Sequence, residues 1–154
     1  MTGTCEPQGC VFCDAATRGD AAPLLVCRGA RCFVMLNLYP YNSGHLMVVP
    51  DRHVASLAEA SAEELTELMM LTRRSEMALT EAYQPQGINV GMNLGRPAGA
   101  GIVDHLHVHL VPRWTGDTNF MSVIGEVRVL PEELEQTAER LRPIFARLGA
   151  RSAG

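Results

Sequence analysis

Three of the chain's five histidines lie in the stretch "DHLHVHLVPRW", at alternate positions: His105, His107 and His109. In an extended strand, alternate side chains share one face and stand about 6–7 Å apart. Leu106, Val108 and Leu110 then face the core, and the imidazoles form a row on a rigid support. Such a row allows three uses. It can ligate a metal, since imidazole is the commonest metal ligand. It can act on phosphate, because neutral imidazole is a nucleophile near neutral pH and its neighbours can donate hydrogen bonds to phosphate oxygens. It can also be a plain polar sheet face. The span from His105 to His109 is wide for a single small ion.

A second cluster of reactive side chains sits near the start. "GCVFCDA" places Cys10 and Cys13 at the spacing of a zinc knuckle. A closed structural zinc site needs two further ligands. A redox pair and two ordinary buried thiols are the alternatives, and no thioredoxin-like context follows. Cys27 and Cys32 offer a four-cysteine variant.

The positioning elements follow from the pattern around these residues. Leu24 to Val26 and Cys32 to Leu38, split by "RGAR", predict a β-hairpin. "NLYPYNSG" is a loop, with Pro40, Asn42 and Gly44 as breakers, and "HLMVVP" is a short buried strand ended by Pro50. A helix is expected from Ala62 to about Tyr83, opened by a Ser61/Glu64 capping box and burying Leu65, Leu68, Met69 and Thr72 on one face. "GINVGMNLG" is a strand, the glycine-rich "GRPAGAGIVD" a loop, and the histidine stretch the next strand. Pro131 opens a last helix that buries Leu134, Ala138, Leu141, Phe145 and Leu148 and stops at Gly149. Strand runs broken by single helices predict an α+β fold with a mainly antiparallel sheet. Residues 10–149 are expected to form one domain, between flexible ends at 1–9 and 150–154.

Bulk properties narrow the function. Of 154 residues, 47% are hydrophobic and 19% charged, which fits a packed globular core. A net charge of −4 argues against nucleic acid as a partner but allows a small anion held by local donors. No apolar run reaches the roughly 18 residues of a membrane span, and no signal-peptide pattern opens the chain. Five cysteines, an odd count, favour reduced thiols in the cytoplasm over a disulfide framework.

The triad followed by "PR", together with "FVMLNLYPYNSGHLMVVP", resembles the histidine triad (HIT) family of nucleotide hydrolases and transferases. The likeness runs from about Cys10 to Phe120. The longer stretch "GMNLGRPAGAGIVDHLHVHLVPRWTGDTNF" is similar to the bacterial diadenosine tetraphosphate phosphorylase branch of that family. The resemblance implies a HIT fold: a five-stranded, mainly antiparallel sheet with one central and one C-terminal helix. It implies that His107 attacks the α-phosphorus to form a nucleotidyl-histidine, that His109 hydrogen-bonds the α-phosphate or bridging oxygen, and that His45 completes the ring of imidazoles. Asn37 would contact ribose, Asn93 the phosphates or leaving group, and the Gly99–Gly101 loop would bring backbone N–H groups to phosphate. Arg113 would face phosphate or make a surface ion pair. Trp114 would stack on a base, lie at a subunit contact or simply pack, and Asn119 belongs to the branch-like tail.

The same resemblance joins His53 and His105 to Cys10 and Cys13 as ligands of a structural zinc. His105 would then hold, His107 attack and His109 stabilise. No redox cofactor is implied. The substrate would be a dinucleoside polyphosphate, with inorganic phosphate as second nucleophile in a phosphorylase, and the protein a cytoplasmic homodimer. A nucleoside phosphoramidate or general dinucleoside polyphosphate hydrolase is the alternative within this chemistry. A non-catalytic nucleotide sensor and a histidine-bound metalloenzyme are the alternatives outside it. Gly101 and Ile102 depart from the glutamine and hydroxyl residue that several members carry before the triad, a change that bears on the leaving group.

Overall fold

The computed structural model describes residues 9–95, 105–117 and 132–152. In chain order these form α1 (Val11–Arg18), a 3-10 turn (Gly19–Ala21), β1 (Leu25–Arg28), β2 (Cys32–Leu36), β3 (Leu46–Pro50), α2 (Ala62–Tyr83), β4 (Gly87–Gly91), β5 (Val108–Arg113) and α3 (Leu134–Ser152). The strands make one five-stranded sheet in the order β1-β2-β3-β5-β4, antiparallel at every pairing. The fold is α+β, as expected.

The sheet's two faces are covered unequally. On one face α2 and α3 close over Val34, Leu36, Leu46, Val48, Val108 and Leu110. Ala138, Leu141, Phe145 and Leu148 all point inward from α3. The other face carries a smaller cluster, in which Phe12 and Ala15 of α1 pack on Leu25, Phe33, Met35, Met47 and Val49. Strand alternation therefore delivers the histidines to the α1 side. Met47 of β3 is paired in register with His109, while Leu106, Val108 and Leu110 go to the larger core.

Several boundaries differ from the sequence reading. Helix α1 was not expected. It is only eight residues long, opens on the Cys10 side chain, which accepts the Cys13 N–H, and ends at Gly19 with φ of 57°. Ser61 and Glu64 do form the capping box of α2, but Met69 is 59% exposed. Leu68 and Thr72 are buried as expected and Leu65 is half-buried, and the buried stripe continues through Leu71, Ser75, Ala78 and Leu79. The ladder of β5 starts at Val108, because the Leu106 N–H bonds Val54 O in the segment after β3 rather than a neighbouring strand. Gly149 does not stop α3, which continues to Ser152 and contains Pro143. Pro131 lies outside the described residues. Among the described residues no helix is long and apolar enough to cross a membrane.

Candidate active site and metal centre

His107 is buried, and its ring is fixed by one bond. Nδ1 lies 2.9 Å from the His105 carbonyl oxygen. A carbonyl only accepts, so Nδ1 carries the proton and Nε2 keeps its lone pair. Burial pushes the His107 pKa down, partly offset by that carbonyl, which favours the neutral, nucleophilic ring.

A second chain of bonds sets His109. The Tyr41 N–H lies 3.2 Å from His45 Nδ1, which must therefore accept. Neutral His45 then holds its proton on Nε2 and donates to His109 Nδ1 at 2.9 Å. His109 in turn carries its proton on Nε2, as a donor. Burial first, and the neighbouring imidazoles second, push His45 and His109 each down to about 4, so both rings are neutral at pH 7. The His107 and His109 rings meet edge to face at 4.7 Å. A lone pair and an N–H donor thus stand side by side, an arrangement suited to attack on phosphorus with stabilisation of the adjoining oxygen.

His107 and His109 open onto a cavity of about 600 Å³, whose wall also includes Asn37, Asn93, Tyr39 and Tyr41. Its far side is α1 and the chain after it, through Val11, Asp14, Ala15, Arg18 and Leu24. Asn37 Oδ1 accepts the Tyr39 N–H at 2.9 Å, which leaves the Asn37 NH2 3.4 Å from His45 Nε2. Both are donors in this tautomer, so they make no hydrogen bond, and the shorter His45–His109 contact takes the proton. His45, at 1% exposure, sits behind His109. Gly99, Gly101 and Asn119 lie outside the described residues.

Of the two places expected for Arg113, the structure shows the ion pair. Asp117 holds its Nε and Nη2 at 2.7 and 2.8 Å, and Asn89 holds its Nη1 at 2.9 Å. Trp114 joins the same cluster through its backbone, its N–H reaching Asp117 Oδ2 at 3.2 Å. The sequence reading missed Asp117, although its place four residues after Arg113 is a usual ion-pair spacing. It also missed Tyr41, whose contribution is a backbone N–H.

The expected metal ligands come together. The ligand atoms of Cys10, Cys13, His53 and His105 all lie within 4.8 Å of one another. His105 Nε2 is 2.8 Å from Pro50 O, so it carries the proton and leaves Nδ1 unprotonated. That Nδ1 faces Cys10 Sγ at 3.4 Å and Cys13 Sγ at 3.6 Å, while His53 Nδ1 faces Cys13 Sγ at 3.2 Å. Two sulfurs and two ring nitrogens are the donor set zinc prefers. Cys27 and Cys32 stand elsewhere: Cys32 Sγ contacts Glu64 O, and Cys27 lies against Arg74. Cys10, Cys27 and Cys32 are free thiols, but Cys13 is disulfide-bonded, contrary to the expectation of reduced thiols throughout. It could serve a metal only after reduction. Phe12, between the two cysteines, joins the centres by touching the rings of both His105 and His107.

The HIT domain model matches residues 19–116. The chain belongs to the HIT family. It is 44% identical over 136 residues to the "AP-4-A phosphorylase" of Mycobacterium tuberculosis (strain H37Rv), covering 88% of this chain and 70% of the relative. It is 31% identical over 119 residues to the "Bis(5'-adenosyl)-triphosphatase" of Dictyostelium discoideum, covering 73% and 79% of the two. Among solved structures, a zinc-bound histidine triad family protein from Mycobacterium smegmatis superposes with a TM-score of 0.74 at 25% identity, covering 95% of this HIT chain and 99% of the other.

Proposed function

We propose that this HIT protein is an enzyme that cleaves dinucleoside polyphosphates through a nucleotidyl-histidine, with diadenosine tetraphosphate as its best substrate. The observation that carries the chemistry is the pair of fixed tautomers: a lone pair on His107 Nε2 beside an N–H on His109 Nε2. His107 Nε2 attacks the α-phosphorus, and the bond to the bridging oxygen breaks, releasing ATP. The His109 N–H bonds the oxygen on which charge develops. Inorganic phosphate then attacks the same phosphorus, breaks the P–N bond and yields ADP. The 44% identity to an AP-4-A phosphorylase supports phosphate as the second nucleophile. Water in that role, giving AMP, is the second reading, favoured by the likeness to a triphosphatase.

Asn37 and Asn93 are assigned to the substrate from their place on the cavity wall. With Cys13 reduced, Cys10, Cys13, His53 and His105 would hold a structural zinc, which would tie α1 to the histidine segment. The protein is a homodimer, joined along β4. This strand ends the sheet and exposes Val90 at 52%, followed by Leu94 at 45%. It works in the cytoplasm, where nucleotides and inorganic phosphate are abundant.

The test is incubation of pure protein with diadenosine tetraphosphate, with and without inorganic phosphate, followed by chromatography of the products. ADP and ATP formed only with phosphate are expected. AMP and ATP under both conditions would make the protein a hydrolase. No turnover of any dinucleoside polyphosphate would remove this substrate class and leave the phosphoramidate hydrolase, then the nucleotide sensor, to be tested.

A further inference from the structure

His45 owes its tautomer to one peptide N–H, that of Tyr41, and this peptide lies in the loop joining β2 to β3. The loop is closed at its base by the Asn37 N–H on His45 O at 3.1 Å. Within it, the His45 N–H bonds Asn42 O at 3.2 Å, and Asn42 directly follows Tyr41, whose N–H feeds the ring. The Asn42 side chain reaches across to the end of β5, the strand that carries His109. Its Nδ2 donates to Pro112 O at 2.8 Å and to Asp117 Oδ2 at 2.9 Å. Asp117 is held in turn by Arg113 and by the Trp114 N–H, and its own N–H returns to Trp114 O at 3.1 Å. The far side of the loop has separate anchors: Ser43 Oγ accepts the Glu132 N–H at 2.9 Å, and Gly44 packs closely on Leu79 and Tyr83.

We propose that Asp117 is a positioning residue that acts through Asn42 and the Tyr41 peptide to fix the tautomers of His45 and His109. Without its carboxylate, Asn42 keeps one of its two acceptors and the near side of the loop loosens. Once the Tyr41 N–H drifts from His45 Nδ1, nothing obliges the His45 proton to stay on Nε2. If it moves to Nδ1, His45 Nε2 becomes an acceptor and draws its hydrogen bond from His109 Nδ1–H. His109 then presents a lone pair, not a donor, to the phosphate oxygen. No bond between heavy atoms changes; one proton moves on each ring. The kinetic consequence rests on the proposed nucleotidyl transfer, while the tautomer consequence does not.

The experiment uses the full chain with Asp117→Ala, Asn42→Ala, the double variant and Asp117→Asn. Ring-nitrogen NMR of the substrate-free protein reports the tautomers of His45 and His109. A single tautomer in the wild type and a mixture in both alanine variants are expected. With diadenosine tetraphosphate, kcat should fall about 10- to 100-fold with KM changed less than about threefold, since a small misplacement near the chemistry acts on the transition state. The double variant should lose no more than the worse single one, as expected for residues acting in one chain. Asp117→Asn keeps an oxygen for Asn42 and should recover most of kcat. Unchanged ring-nitrogen spectra in both alanine variants would overturn the proposal, and so would additive losses or a loss confined to KM. If the wild type turns over no dinucleoside polyphosphate, the proposed reaction fails, and the spectra alone still decide the role of Asp117.

Discussion

His105 and His107 are two residues apart on one face of one segment, and their rings are wired in opposite senses. His105 gives its Nε2–H to Pro50 O and keeps Nδ1 for the sulfurs of Cys10 and Cys13. His107 gives its Nδ1–H to His105 O and keeps Nε2 for the cavity. Each role is set by a single backbone carbonyl. The two centres also share a residue: the side chain of His105 serves the metal cluster, and its carbonyl serves the nucleophile. The difference between a ligand and a nucleophile here lies in where the chain places an acceptor, not in the side chain.

The comparison breaks most sharply at residue 107. His107→Ala removes the attacking nitrogen and should lower kcat by about 10⁴-fold or more, the scale seen when a nucleophile is deleted. The metal cluster should persist, because no ligand atom is lost, and zinc content with thermal unfolding checks this. A His107→Ala protein that retains turnover would remove His107 as nucleophile.

The metal side gives the next largest effect. Wild type treated with a reductant should take up about one zinc per chain, and a Cys10→Ser/Cys13→Ser variant none. Loss of a tightly bound ion should lower Tm by about 10 °C for a chain of this size. Because Cys10 caps α1, Cys13 lies in its first turn and the helix forms one wall of the cavity, KM should rise more than kcat falls. Full zinc loading of the double variant would sink the assignment.

A smaller effect comes from pH, through the buried ring behind His109. His45 is pushed down to about 4 by burial and by its imidazole neighbours. Its unfolded value is near 6.5. Between those values the unfolded chain binds more protons, so acid favours unfolding. The stabilising contribution is complete above about pH 6.5 and is lost as pH falls through 4. Urea unfolding from pH 7.5 to 4.5 should show stability dropping toward acid, and His45→Gln should flatten that slope. An identical slope in the variant would mean that His45 does not resist protonation in the fold.

Much of this arrangement was legible in the sequence, because it rests on side-chain pattern. Alternation put Leu106, Val108 and Leu110 in the larger core and the histidines opposite. The Ser61/Glu64 box opened α2 where expected, and the CxxC residues met His53 and His105 as the family resemblance implied. What could not be read rests on backbone groups and distant contacts. The carbonyls of Pro50 and His105 and the N–H of Tyr41 decide three tautomers, and every residue carries such groups. Helix α1 was hidden because eight residues with a cysteine cap show too little periodicity. Met69 was misplaced because one position along a helix is about 100° around it, enough to move a side chain from core to water. Gly149 carried a stop signal that the packing of Phe145 and Leu148 overrides.

The finest test of the shared residue replaces the side chain and keeps the carbonyl. His105→Cys offers a thiolate in place of Nδ1, and zinc accepts three cysteines with one histidine as readily as two with two. The backbone oxygen that holds His107 Nδ1–H remains. What is lost is the bond to Pro50 O, a buried acceptor whose abandonment costs about 1–3 kcal/mol. Tm should therefore fall by several degrees. Activity should stay within about threefold of wild type, because the reacting nitrogen keeps its tautomer. His105→Ala gives the control, since it keeps the same carbonyl but offers no ligand, and should lose zinc along with stability. If His105→Cys binds zinc and folds yet loses activity as fully as His107→Ala, the imidazole of His105 has a part in the chemistry, and the division of labour along this segment is wrong.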